Sequence, residues 1–107
     1  MVYEVPSPVQ ASVDATNAGD LEAFLASFTP DGVVDDWGRV FTGPAEITEW
    51  SNNEYIGKKL TLEVTSTRSE DDVTTVIADV GGDGFNGPST FIYAVDGDRV
   101  APMTIRE

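Results

Sequence analysis

The residues best suited to chemistry lie in the stretch DDWGRVFTGPAEITEW, positions 35–50. Two adjacent acids run into Trp37, and Trp50 closes the stretch. A carboxylate held against aromatic rings loses solvation, which raises its proton affinity and makes it a usable base near neutral pH. Side chains alternate along a strand, so Val34 and Asp36 share one face while Val33, Asp35 and Trp37 share the other. Only one acid of the pair can therefore enter an interior. Asp36 is the candidate proton acceptor. The competing reading makes Asp36 the first residue of a turn, Asp36-Trp37-Gly38-Arg39, where it caps its own backbone.

The burden falls on a carboxylate because other groups are missing. The chain has no histidine and no cysteine, which excludes a Ser-His-Asp triad, an imidazole shuttle, a thiolate nucleophile and the usual zinc ligand sets. No metal and no cofactor are expected. Nineteen acids against six bases give a net charge of -13, which repels phosphate backbones and anionic membranes and argues against nucleic-acid or membrane partners. The opening MVYEVPSPV lacks a basic segment followed by an apolar block, so it reads without a secretory signal, and a cytoplasmic location is expected. With 107 residues, 40% of them apolar, residues 1–107 form one domain with one core.

The elements that must position Asp36 follow from period and punctuation. Ser7-Pro8-Val9-Gln10 opens a first helix, with Ser7 as cap and Gln10 at the capping-box position. Val9, Val13 and Thr16 share a face, and Asn17-Ala18-Gly19 ends the helix. Asp20 caps a short second helix carrying Leu21, Phe24, Leu25 and Phe28. Thr29-Pro30-Asp31-Gly32 turns the chain. Residues 33–42 form a tight strand pair pivoting near Gly38, and Gly43-Pro44 opens a third helix that ends between Asn53 and Gly57. The period then becomes two: LTLEVTSTR at 60–68, VTTVIADV at 73–80, STFIYAV at 89–95 and RVAPMTIR at 99–106. Pro102 marks an unpaired or bulged side of the last strand. The glycine-rich loop 81–88 lacks a phosphate-binding ending and reads as a flexible connection, or as a lid tipped by Phe85. Helices segregated before a curved, mostly antiparallel sheet define an α+β domain. The expected shape is a cone-shaped roll, three N-terminal helices on the sheet enclosing a cavity.

At this point the chain resembles the nuclear transport factor two-like superfamily, in its SnoaL-like and ketosteroid isomerase-like branch. The resemblance runs from Val9 to Arg106 and is most specific in NAGDLEAFLASFTPDGVVDD followed by the G-P-A-E-I helix start. It implies that Asp36 occupies the position of the isomerases' proton-shuttling aspartate. Their oxyanion-hole tyrosine corresponds to Ser12, and their protonated second aspartate, counted back from Met103 across the hairpin, corresponds to Thr90. The base is retained while both strong donors, worth about 2.7 to 4 kcal/mol of barrier each, are absent. The histidine of SnoaL-type cyclases is absent as well.

That count puts Thr90, Ile92, Ala94, Ala101, Met103 and Ile105 in the cavity; a shift of one would put Tyr93 and Arg106 there instead. Asp79 reads as a second cavity acid or as a strand-end acid meeting solvent or Arg68. Phe41 and Trp50 suit core packing, while Trp37 beside its turn suits a ligand wall or a subunit contact. Both sheet faces are apolar enough to need cover, which points to a homodimer. The functional expectation is a small, mostly apolar ligand, carbonyl-bearing, met by Asp36 as base. Ser12, Trp37, Trp50, Tyr55, Asp79, Thr90, Ile92 and Met103 are the candidate binding residues. The alternative is a non-catalytic ligand-binding or protein-interaction dimer module.

Overall fold

The computed structural model describes residues 5–82 and 86–106; Phe85, the tip of the expected lid, lies outside them. Helix α1 spans Ser7–Ala18, α2 Leu21–Ala26 and α3 Gly43–Glu54, followed by a 3-10 turn at Ile56–Lys58. The strands are β1 Val33–Asp36, β2 Arg39–Thr42, β3 Thr61–Glu70, β4 Val73–Gly81, β5 Gly87–Asp96 and β6 Arg99–Arg106. They form one sheet in the order β2-β1-β6-β5-β4-β3. All pairings are antiparallel except β1 with β6. The chain is an α+β roll with its helices packed on one side of a curved sheet.

Local chemistry explains most boundaries. Gly19 ends α1 in the left-handed conformation, its N–H on Thr16 O, and Asp20 caps α2 by accepting from Ala23 N. Ser7 is not the cap expected of it: Pro6 holds that position, Ser7 is the first helical residue, and Gln10 reaches Asp14. Asn17 grips the start of β3 with both amide atoms, accepting from Leu62 N at 2.6 Å and donating to Leu62 O at 3.0 Å. Gly57 admits no side chain, since a Cβ there would stand 1.7 Å from the Asn52 carbonyl oxygen. The chain must pass that close to α3 to bring Leu60 under the sheet.

The core fills the space between helices and sheet. Val9 and Val13 from α1, Phe24 from α2, Ile47 and Trp50 from α3, and Phe91, Tyr93 and Met103 from the sheet are all essentially solvent-free. Trp50 and Tyr55 stack at 4.7 Å between centroids, with Phe24 packed near both rings. A buried tryptophan alone removes roughly 150–250 Å² from water, on the order of 4 to 6 kcal/mol.

The register of β5 differs from the count made across the hairpin. Val95 pairs with Val100 and Tyr93 with Met103, so Ala94 faces both Ala101 and Pro102. The extra residue on β6 is a bulge at the proline, and it reverses the alternation. Val100, Met103 and Ile105 all point inward, and on β5 the inward residues are Ser89, Phe91 and Tyr93. Thr90, Ile92 and Ala94 consequently lie on the outer face, as do Ala101 and the exposed Asp79.

Candidate functional site

The last two residues of β1 place the two acids on opposite faces, as strand alternation requires. Asp35 points outward, where Arg106 Nη1 and Nη2 reach its two oxygens at 3.0 and 3.2 Å. It also accepts from Gly38 N at 2.8 Å. The turn-capping role open to Asp36 thus belongs to Asp35. The Arg106 pairing first, and the Gly38 N–H second, hold the Asp35 carboxyl below its usual value.

Asp36 points inward and its side chain is 14% exposed. Its Oδ2 accepts from Trp50 Nε1 at 3.0 Å and from Arg39 Nη2 at 2.7 Å. Its Oδ1 has no hydrogen-bond partner among the described residues. The residue therefore combines an anchored oxygen with an open one.

Asp36 borders a cavity of about 330 Å³. The inner wall is mostly apolar, built from Trp50, Tyr55, Leu60, Val80, Phe91 and Ile105 with the buried Ser89 among them; the mouth carries Trp37, Arg39, Glu54 and Lys58. Trp37 is 54% exposed and sits at φ 55°, beside Gly38 at φ 89°. These two positive φ angles make the tight turn that joins strands of right-handed twist. Tryptophan is an unusual occupant of such a position, and its backbone strain coincides with its place at the mouth.

Behind the cavity, hydroxyls gather. Thr16 donates to Ser12 O at 2.9 Å and lies 3.4 Å from the Tyr55 hydroxyl. Because Thr16 has one proton and the shorter bond takes it, the longer contact is one in which the Tyr55 phenol donates to Thr16 Oγ1. Burial pushes that phenol well up, the Thr16 contact opposes the shift, and the charge of Asp36 adds to it. The Ser12 and Tyr93 hydroxyls face each other without reaching hydrogen-bond geometry, and neither has a partner among the described residues. Burial raises the Tyr93 phenol too.

Of the sequence candidates, Asp36, Trp37, Trp50 and Tyr55 converge on this cavity. Ser12 is buried behind it, and Met103 is core. Asp79, Thr90 and Ile92 do not line it; the β6 bulge and strand alternation turn them to the outer face. Arg39, Glu54, Lys58 and Phe91 line it without having been singled out as binding residues. Glu54 was findable: on α3 it stands four residues after Trp50, hence on the same face. Among the described residues no group of three or more acids, histidines or cysteines is placed to hold a metal, and no helix is long and apolar enough to cross a membrane.

Helices packed on one side of a bent sheet, with a carboxylate at the mouth of an aromatic-walled pocket, define the class of fold. The SnoaL-like domain profile matches residues 9–103, and the chain belongs to that family. Among solved structures it is similar to a candidate polyketide cyclase from Sinorhizobium meliloti, 25% identical with TM-score 0.84, covering 95% of each chain. It is also similar to a ketosteroid isomerase-like fold from Catenulispora acidiphila, crystallised with trimethylamine, at 21% identity and TM-score 0.81 over 97% of this chain and 87% of that one. A third is a Mycobacterium tuberculosis protein in complex with estradiol-17β-hemisuccinate, at 19% identity and TM-score 0.79 over 95% and 93%. No curated protein matches the chain.

Proposed function

We propose that the protein binds a small, mostly apolar, carbonyl-bearing molecule in the 330 Å³ cavity and moves a proton on it through Asp36. The observation that carries this reading is the division of labour within one carboxylate: Oδ2 is fixed by Trp50 and Arg39, and Oδ1 is left open. A fixed carboxylate with one free oxygen can take a proton from the carbon next to a carbonyl and return it one or two atoms away. The Tyr55 phenol, kept protonated by burial, turns its proton from Thr16 to the carbonyl oxygen as charge develops there. Such proton transfer is the whole of an isomerase's chemistry and the opening step of a cyclase or dehydratase. Relatives crystallised with a steroid ester and with a small amine support small-molecule binding by this fold.

The test is a panel of enones and other apolar carbonyl compounds, followed by melting temperature and by exchange of the acidic C–H for deuterium. Ligands raise the melting temperature of wild type and of Asp36→Asn, while exchange persists only in wild type. A panel that shifts nothing removes the pocket reading; binding with equal exchange in both proteins removes Asp36 alone.

A second copy of the chain is proposed to cover the outer face of the sheet. Val73 and Ile77 are each 41% exposed there, with Ile92 beside them. Light scattering gives a dimer for wild type and a monomer for Ile77→Lys; a wild-type monomer ends this proposal. A cytoplasmic location is part of the same reading and is tested by fractionation of the host cell.

A further inference from the structure

Arg39 stands between two carboxylates and divides itself unequally. Its Nη1 and Nη2 reach Glu54 Oε2 and Oε1 at 2.8 and 2.6 Å, a two-pronged pairing. Asp36 receives Nη2 alone, at 2.7 Å on Oδ2. A guanidinium offers its paired N–H groups in one plane, so that edge of the fork grips one carboxylate at a time. Glu54 holds that place although its side chain is 40% exposed and Asp36, three residues from Arg39, is only 14% exposed. A drier carboxylate is the stronger electrostatic partner, so the arrangement depends on where α3 delivers Glu54.

We propose that Glu54 is a positioning residue: it keeps the Arg39 fork on the α3 side of the mouth, so that Asp36 gives up only one oxygen to it. Without Glu54 the fork closes on both oxygens of Asp36 and occupies the atom the pocket needs. This rests on Asp36 being the reacting carboxylate of the proposed function. The other groups around Asp36 are Trp50, Glu54 and Tyr55 from α3 and its end, Lys58 from the following turn, and Arg106 from β6, which acts through space. Asp35, next in sequence, faces the other way on Arg106.

The decisive variant is Glu54→Asp, which keeps the charge and shortens the reach. The readout is the pair of Asp36 carboxyl ¹³C and Arg39 guanidinium ¹⁵N shifts at neutral pH. If Glu54 positions the fork, Glu54→Asp and Glu54→Gln both displace the two resonances together, as the fork moves onto both Asp36 oxygens. With Arg39→Gln in the background, Glu54→Asp then has no effect. If Glu54 acts only as a charge, Glu54→Asp leaves Asp36 as in wild type, and the proposal is overturned. The same outcome follows if the Asp substitution acts equally with and without Arg39. Amide spectra report folding of each variant. These spectra need no ligand, so failure of the carbonyl panel removes the pocket reading without touching this result.

Discussion

The Trp50 indole donates to Asp36 Oδ2 across 3.0 Å, tying the middle of α3 to the last residue of β1. One side chain thus serves the core and the site together: its ring packs on Tyr55 and Phe41 while its single N–H orients the carboxylate. Trp50→Phe keeps the packing in part and deletes the donor. We expect a loss of about 1–3 kcal/mol in urea denaturation, together with loss of the C–H exchange activity assigned to Asp36. Unchanged stability would show that the ring is not packed as described.

The outward pair Asp35–Arg106 makes a prediction at acid pH. The folded-state carboxyl is lowered by Arg106 and by Gly38 N–H, so its contribution is present above the ordinary value of 3.8. That contribution is lost as the pH falls below it. Arg106→Gln therefore flattens the acid limb of the stability–pH curve and leaves the shape above pH about 5 unaltered. A parallel displacement of the whole curve would point to packing instead of charge.

The alkaline limb belongs to the buried phenols. Burial raises Tyr55 and Tyr93 above the ordinary value of 10.0, so their protonated forms stabilise the fold below that value and cease to do so as the pH rises beyond it. The tyrosinate absorbance of these two residues should appear only as circular dichroism reports unfolding. An absorbance step in the still-folded protein would contradict their burial.

Tyr93 carries a hydroxyl with no partner. Removing an unsatisfied buried group is close to neutral or favourable, so Tyr93→Phe should leave the melting temperature unchanged or raise it. Tyr55→Phe gives up only the 3.4 Å contact with Thr16, so it should cost little stability and weaken binding of carbonyl ligands specifically. A strong destabilisation by Tyr93→Phe would reveal a partner for that oxygen.

Trp37 is held at φ 55°, a conformation that costs a bulky residue about 1–2 kcal/mol and suits asparagine. Trp37→Asn should therefore gain roughly 1 kcal/mol in denaturant and lose ligand affinity. A variant that is less stable would mean the exposed ring packs on something within the chain.

Much of the architecture is legible in the residues themselves. Gly19 and Asp20 mark the α1–α2 junction, Leu21, Phe24 and Leu25 set the helical stripe, which ends at Ala26 so that Phe28 bridges to Val100 instead, and period-two runs give the four long strands. Strand alternation alone separates Asp35 from Asp36. What sequence conceals is long-range: Pro102 announces a disturbance in β6, but not that an added residue there turns Thr90 and Ile92 outward and Phe91 and Tyr93 inward. The parallel pairing of β1 with β6 joins residues far apart in the chain and leaves no local mark. Arg39 and Glu54 escape for the same reason, since their meeting depends on how α3 lies across the hairpin.

The unequal setting of the two tryptophans has an optical consequence. Trp37 is half in water and Trp50 is dry, so their emission should separate into a red and a blue component. A molecule entering the mouth touches the red one first. Binding can then be followed by light from the protein itself, with no label, over any library of colourless compounds.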